Sequence, residues 1–450
     1  MTSVFAGERY AVVGLGRNGL PVAQALLAMG AEVAVWDDHA VDRAVLAGLT
    51  LLAQPFDLAG YTALVLSPGI PHALPSVHPA AAAARAAGIP ILSDADLLYV
   101  ATRRRGSAAR FVGVTGTNGK STTTALLHHM LVSAGQESAA GGNLGTPALI
   151  LPPLGDTGTY VLEMSSYMLE RLHSLRFDVA CLLNLSPDHL DRHGSMDGYA
   201  AAKLHVFDRQ EPGDTAVLGI DDPLTAALPV GGLRISGAQP ADVWCDGGIL
   251  RDAVGAIVNM ADAPALPGPH NAQNAAAAAA MAAALGLDRA AIAAGIRSFP
   301  GLPHRQQRVA AIDGIAWIND SKATNADAAA RALACYDRIV WIAGGMAKAG
   351  GIADLAPYFP RLAHALLIGR DAPVLAETLA AAAVPFTECG TLDVACETAR
   401  RLAPGLGADT VLLSPACASF DQFSGFEARG DRFADLARDA AARSTVREHA

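Results

Sequence analysis

Seven consecutive residues, Gly116-Thr117-Asn118-Gly119-Lys120-Ser121-Thr122, combine the groups needed to hold a chain of phosphates. Amides of a glycine-rich turn can point at phosphate oxygens, the Lys120 ammonium can neutralise β- and γ-phosphate charge, and the Ser121 hydroxyl can ligate magnesium. The preceding Phe111-Val112-Gly113-Val114 reads as a strand and the stretch from Lys120 to Ala134 as a helix, which is the setting such a turn requires. The strict Walker pattern would put its first glycine where Val114 stands, so generic kinases and GTPases fit poorly.

A second turn, Gly14-Leu15-Gly16-Arg17-Asn18-Gly19, matches G-x-G-x-x-G after the strand Tyr10-Ala11-Val12-Val13. Asp37 follows about twenty residues later at the end of the next strand, where a dinucleotide-binding unit keeps an acidic residue for a ribose. Asp38 adjoins it, and Ser67-Pro68-Gly69 supplies a further loop on the same edge. Alone, this half of the pattern fits an NAD-dependent dehydrogenase, which would leave the Gly116 turn unused. A non-catalytic ATP-binding regulator would use both turns and no further chemistry.

The elements that must position these residues alternate short apolar runs with helical stretches. In the first hundred residues a helix is expected over Gly19 to Met29, with strands at Glu32–Trp36 and Ala63–Leu66. The rhythm restarts at Phe111, with strands at Thr159–Glu163 and Val179–Asn184. It restarts again after Phe299-Pro300-Gly301-Leu302-Pro303, with strands at Ala316–Ile318, Ile339–Ile342, Ala365–Ile368 and Thr410–Leu413. The fold class is therefore α/β, with three α/β domains at 1–100, 110–300 and 303–450. Arg103-Arg104-Arg105, beside Gly106-Ser107, reads as a solvated linker between the first two. The alanine-rich stretch Ala275–Leu287 reads as a buried helix, too short to span a bilayer.

The 450 residues are 52% apolar and 17% charged, enough for several packed cores and against a disordered chain. A net charge of −10 argues against general attraction to nucleic acid or to an anionic membrane. Six scattered cysteines without a C-x-x-C pair suit a reducing cytoplasm, and no secretory signal opens the chain. The expected partners are small molecules, with no nucleic acid and no membrane insertion.

Further motifs carry a family resemblance. Gly142-Asn143-Leu144-Gly145, Glu163-Met164-Ser165-Ser166, Pro187-Asp188-His189-Leu190-Asp191-Arg192-His193 and Ala202-Lys203 follow the Gly116 turn. Then come His270-Asn271-Ala272-Gln273-Asn274, Gly301-Leu302-Pro303-His304-Arg305 and Asn319-Asp320-Ser321-Lys322-Ala323-Thr324-Asn325. In order and approximate spacing this resembles the Mur ligase superfamily of peptidoglycan synthesis over nearly the whole chain. Ser414-Pro415-Ala416-Cys417-Ala418-Ser419-Phe420-Asp421-Gln422-Phe423, with Phe426, Arg429 and Gly430, resembles the branch that joins D-glutamate to UDP-N-acetylmuramoyl-L-alanine. Sister ligases adding other amino acids, and folylpolyglutamate synthases, share the ATP turn and are the near alternatives.

The resemblance implies an N-terminal Rossmann-like domain for the UDP-linked substrate, a central P-loop ATPase-like domain with a mostly parallel sheet, and a C-terminal Rossmann-like domain for the amino acid. It implies a cytoplasmic, monomeric enzyme using ATP and two magnesium ions through an acyl phosphate. Lys120, Glu163, His189 and Lys203 would be catalytic, with Ser121, Glu163, His189 and Lys203, as a carbamate, around the metals. Gly116 to Thr122, Asn271, Asn274, Arg305, Asp320 and Lys322 would bind ATP. Gly14, Gly16, Arg17, Asn18, Asp37, Asp38, Ser67, Pro68, Gly69, Asn143, Ser165 and His189 would face the UDP-linked substrate, although relatives can carry a basic residue where Asp37-Asp38-His39 stands. Thr324, Lys348, Ser419 and Phe426 would surround D-glutamate. A site divided between domains would have to close to be complete.

Overall fold

The computed structural model describes residues 3–39, 42–143, 145–347 and 350–448. It divides into two compact units, residues 1–264 with 269–299, and residues 265–268 with 300–450. Among the described residues the strands form three sheets, two in the first unit and one in the second.

The first sheet contains β1 (Arg9–Val13), β2 (Glu32–Trp36), β3 (Thr50–Leu51), β4 (Ala63–Leu66) and β5 (Ile91–Leu92). Its order is β3-β2-β1-β4-β5 and every pairing is parallel. The order reverses at β1, so the crevice at the carboxyl ends of β1 and β4 is where an open α/β sheet receives a ligand.

The second sheet holds β6 (Arg110–Thr115), β7 (Ser138–Gly142), β8 (Thr159–Glu163), β9 (Val179–Leu182), β10 (Thr215–Gly219), β11 (Leu233–Ser236), β12 (Val243–Asp246), β13 (Ile249–Asp252) and β14 (Gly255–Asn259). Its order is β14-β13-β12-β11-β10-β9-β6-β8-β7, parallel except for the antiparallel edge from β12 to β14. β6 buries all but its first residue, the continuous apolar run expected of a central parallel strand covered on both faces. The order reverses at β6, between β8 and β9, which brings the residues after those three strands together. The helix Pro269–Ala284 packs on the helix Lys120–Ser133 and on β10, β11 and β12. Its residues from Asn271 to Ala282 are buried, and alanine side chains permit that close approach.

The third sheet holds β15 (Gln307–Ile312), β16 (Ile315–Asn319), β17 (Ile339–Gly344), β18 (Leu362–Ile368), β19 (Phe386–Gly390) and β20 (Thr410–Leu413), in the order β15-β16-β20-β17-β18-β19. Only the β15–β16 pair is antiparallel. Buried Trp341 and Trp317 anchor its two faces.

One expectation fails. Arg103 and Arg104 are not a solvated linker but the last turn of a helix, Asp94–Arg104. The Arg103 guanidinium donates to the carbonyls of Ser107 and Ala109 at 2.8 and 2.9 Å and lies 4.7 Å over the Tyr99 ring. Arg104 pairs with Glu8 at 2.7 Å. Cations at a helix C-terminus also meet the negative end of its dipole, so Arg103 and Arg104 fasten the helix end to neighbouring chain rather than loosening a joint.

Candidate active site

The Gly116 turn leaves β6 and enters the helix Lys120–Ser133 through Gly119, whose φ is +83°. A Cβ there would also stand 2.2 Å from Asn274 Oδ1, so glycine is required on both counts. The turn is pinned from β9's end: Thr117 N donates to Asn184 O at 2.9 Å and Asn118 N to Asn184 Oδ1 at 2.8 Å. Asn184 in turn donates to Gln273 Oε1, while Asn274 accepts from Thr123 and donates to Asn271. Asn271 and Asn274 therefore buttress the turn from the alanine-rich helix. Ser121 and Thr122 open the helix at 8% exposure each, and their amides stand at the positive end of its dipole.

Two amines converge below this turn. Lys120 Nζ donates to Gly116 O at 2.9 Å and to Thr117 O at 2.8 Å. Lys203, on the helix Met196–Leu204, donates to the same Gly116 carbonyl at 2.8 Å and lies 4.6 Å over the Tyr199 ring. Its side chain is 1% exposed. Burial, then the charge of Lys120, brings the Lys203 amine down to about 6, with Asp188 and Glu163 opposing. Burial thus favours the uncharged form of this amine.

Glu163 ends β8 beside them at 2% exposure. Its Oε1 accepts from Asn143 Nδ2 at 2.6 Å, and Asn143 N donates to Glu163 O at 2.9 Å. The other oxygen, Oε2, is buried without a hydrogen-bond partner. An ionised oxygen in that condition is costly unless a cation joins it. Among the described residues no three histidine, cysteine, aspartate or glutamate side chains are grouped to hold a metal ion.

His189 stands outside this buried set. It takes φ +53° before the short helix Leu190–His193, with its ring 5.0 Å from Tyr167 and Nε2 3.4 Å from Asp188. Ser165 spends its hydroxyl capping the helix Ser166–Leu169, accepting from Met168 N at 3.3 Å.

The Gly14 turn is closed on itself. Gly14 N donates to Trp36 O at 2.8 Å, Ser67 Oγ to Gly14 O at 2.7 Å, and Leu15 N to Asp37 Oδ2 at 2.5 Å. A Cβ on Gly19 would fall 1.7 Å from Gly14 O, whereas at Gly16 it would meet open space. Asp37 thus holds its own turn. Although burial alone would raise it, amides of His39 and Leu15 bring its carboxyl below the usual range. Asp38 is shared by Trp36 Nε1 at 2.9 Å and His78 Nε2 at 3.1 Å. Asn18 makes no side-chain cap, Arg17 and Gly69 are exposed, and Pro68 is half-buried.

In the second unit, Asp320 follows β16 at 5% exposure. Its oxygens accept from Ser414 Oγ at 2.7 Å and Gln306 N at 3.1 Å, and burial pushes its carboxyl up to about 7. Lys322 Nζ lies 5.4 Å over the Phe426 ring, Thr324 N donates to Lys322 O, and Ser419 is buried. Fully buried Arg429 ties this end together, donating to Ser321 Oγ at 2.9 Å and to the carbonyls of Ser321 and Cys417. Arg305 precedes β15, and Lys348 lies outside the described residues.

Sequence reasoning did not single out Asn184, Gln273, Tyr199 or Arg171. The first two had a signal, since Asn184 follows a strand flanking the reversal point and Gln273 sits inside the His270–Asn274 run.

The chain matches the Mur ligase middle domain over residues 114–282. It is 50% identical over 446 residues to a UDP-N-acetylmuramoylalanine–D-glutamate ligase of Paramagnetospirillum magneticum, covering 96% of each chain. It is 46% identical to the ligase of the same name from Rhodospirillum rubrum, over 97% of this chain and 96% of that one. Among solved structures it is similar to the UDP-N-acetylmuramate-alanine ligase MurC of Thermotoga maritima, with a TM-score of 0.60 at 18% identity over 96% of this chain and 99% of that one. MurF from Acinetobacter baumannii gives a TM-score of 0.58 at 19% identity, over 97% and 93%. At such identities the structures speak for the fold alone.

Proposed function

The chain belongs to the family of UDP-N-acetylmuramoylalanine–D-glutamate ligases, and on that premise we propose that it joins D-glutamate to UDP-N-acetylmuramoyl-L-alanine in peptidoglycan precursor synthesis, converting ATP to ADP and phosphate. The observation that carries the proposal is the buried Glu163 oxygen without a partner, next to a phosphate-type turn and a buried lysine, in a chain so similar to those relatives over its length.

A free carboxylate is a poor acyl donor. Its oxygen attacks the γ-phosphorus of ATP, the bond to the β,γ-bridging oxygen breaks, and ADP leaves an acyl phosphate. The amine of D-glutamate then adds to the acyl carbon, loses a proton, and expels phosphate as the amide forms. The work of the protein is alignment and charge stabilisation. Lys120 and the amides of Gly116 to Thr122 hold the phosphates, and Asn271 and Asn274 keep the turn in shape. Ser121 and Glu163 fit magnesium, with His189 as a further donor, and the two ions we assign would neutralise phosphate charge when bound.

Lys203 cannot ligate a cation as an ammonium. As a neutral amine it can attack carbon dioxide, forming an N–C bond and releasing a proton, which leaves an anionic carbamate. Its depressed basicity and burial support that assignment.

The first domain, 1–100, takes the UDP-linked substrate through Gly14, Gly16, Arg17, Asn18, Ser67, Pro68 and Gly69, with Asp37 and Asp38 shaping its floor; Asn143 and Ser165 lie toward its reacting end. The central domain, 110–300, takes ATP. To the C-terminal domain, 303–450, we assign Arg305, Asp320 and Lys322 as nucleotide-binding residues and Thr324, Lys348, Ser419 and Phe426 as D-glutamate-binding residues. We assign the enzyme to the cytoplasm as a monomer. Among the described residues no helix is long and apolar enough to cross a membrane.

A panel of amino acids, assayed by ADP release and product mass with the UDP-linked acid present, tests the assignment. D-glutamate should be the preferred acceptor. Equal turnover with L-alanine or a diamino acid, or release without any acceptor, would overturn it.

A further inference from the structure

Arg171 is a buried cation that the reaction above does not use. It lies two residues beyond the helix Ser166–Leu169, on the segment that follows Glu163, and is 2% exposed. Its guanidinium leaves the second sheet's side and enters the loop after β4. There Nη1 donates to Leu66 O at 2.6 Å and Ser67 O at 3.1 Å, Nη2 donates to Ile70 O at 2.6 Å, and Nε faces His72 Nδ1 at 3.4 Å. Burial, then the charge of Arg192, brings this guanidinium down to about 9. A cation this costly to bury is held by geometry, since a planar fork can bind several carbonyls of one loop at once.

The loop it grips is the one that reaches the Gly14 turn through Ser67 Oγ. Asn18, Gly19, Ser67, Pro68 and Arg171 line one cleft at the carboxyl ends of β1 and β4. Ile70 O also accepts from Arg192 at 3.1 Å, and Arg192 comes from the Pro187–His193 motif. The backbone around Arg171 is fastened to the first sheet's helix as well: Ser93 N donates to Arg171 O at 3.1 Å, and Asp96 Oδ1 accepts from the amides of His173, Ser174 and Leu175. The segment after Glu163 is therefore joined to the loop beside the glycine turn.

We propose that Arg171 is a positioning residue for the UDP-linked substrate: its guanidinium holds the Leu66–Ile70 loop in the shape that receives this substrate, and so sets its affinity without entering the ATP site. The inference rests on the function assigned above. Without the fork, three loop carbonyls lose a donor, the loop samples other shapes, and apparent affinity falls by the fraction of time it remains competent.

The test compares wild type, Arg171→Lys and Arg171→Ala in steady-state ADP release, varying each substrate in turn, with calorimetric binding of the UDP-linked substrate in the absence of ATP. For Arg171→Ala the KM and the Kd of that substrate should rise about tenfold or more, while kcat and the KM values for ATP and D-glutamate stay within about twofold. Arg171→Lys keeps the charge and part of the donation and should fall between; it decides the matter if Arg171→Ala does not fold. An unchanged KM and Kd for the UDP-linked substrate in Arg171→Lys, or an equal rise for all three substrates, would overturn the positioning role. Wild-type ADP release that ignores both the UDP-linked acid and D-glutamate would instead overturn the function it rests on.

Discussion

Two strand–turn–helix units in this chain share a sequence rhythm and differ in how their polar groups are settled. At Gly14–Gly19 each named group has found a partner in the turn's own surroundings, with Asp37 accepting from Leu15 and His39 amides and Ser67 holding the Gly14 carbonyl. At Gly116–Thr122 the balance is unfinished: the neighbouring Glu163 keeps one buried oxygen without a partner, and Lys203 shares the Gly116 carbonyl with Lys120. A satisfied turn can cradle a ligand without changing it. A turn beside a buried carboxylate oxygen without a partner is prepared for added charge, and that is where covalent chemistry belongs.

The largest effect should come from the unfinished side. Glu163→Gln or Lys203→Ala should each lower kcat for ADP release by about a hundredfold or more, since each removes charge stabilisation specific to the transferring phosphoryl group. Activity within a few-fold of wild type in both would erase the contrast between the turns.

Gly119→Ala tests shape instead of charge. The new Cβ would meet Asn274 Oδ1 at 2.2 Å in a backbone at φ +83°, so stability should fall by roughly 1–2 kcal/mol from the left-handed backbone alone. Chemical denaturation measures this, and an unchanged midpoint would show that the turn is not held by Asn274.

The third sheet extends the comparison through pH. Asp320 is buried like Glu163, but both of its oxygens have donors. Its carboxyl is raised from 3.8 to about 7, so over that window the folded state holds a proton that the unfolded state has released. Its contribution to stability is full below pH 4 and is lost as pH rises through 7. Asp320→Asn should flatten that part of the pH–stability curve, read from thermal midpoints between pH 4 and pH 8. A slope equal to wild type would contradict the assignment.

The smallest effect belongs to the settled turn. Asp37→Asn keeps one acceptor and loses a charge-assisted bond, so it should cost about 1 kcal/mol and leave the KM for ATP unchanged. A loss of ATP affinity would break the division of labour.

Much of the fold was legible because central parallel strands read as continuous apolar runs: β1, β2, β4, β8 and β20 lie where such runs stand. The antiparallel edge from β12 to β14 and the two-residue strands β3 and β5 were not legible, being too short or too mixed to show a period. Arg103 and Arg104 misled because three adjacent charges beside a glycine look solvated, and only the fold reveals the Ser107 and Ala109 carbonyls that Arg103 reaches and the Glu8 carboxylate that Arg104 meets. The phosphate turn, Glu163 and Lys203 could be named from residue types and motif order. Their condition could not, because the orphaned Glu163 oxygen and the lowered basicity of Lys203 arise from burial by distant segments. Arg171 was invisible for the same reason, since its partners at Leu66, Ser67 and Ile70 lie roughly a hundred residues earlier.

On the proposed function, ATP activates the substrate carboxylate beside the Gly116 turn. UDP-N-acetylmuramoyl-L-alanine labelled with oxygen-18 in its carboxylate, incubated with ATP and D-glutamate, tests it through the mass of the released phosphate. One labelled oxygen should pass into that phosphate at the rate of amide formation, and Glu163→Gln should slow both together. Phosphate released without the label, while the amide still forms, would contradict it.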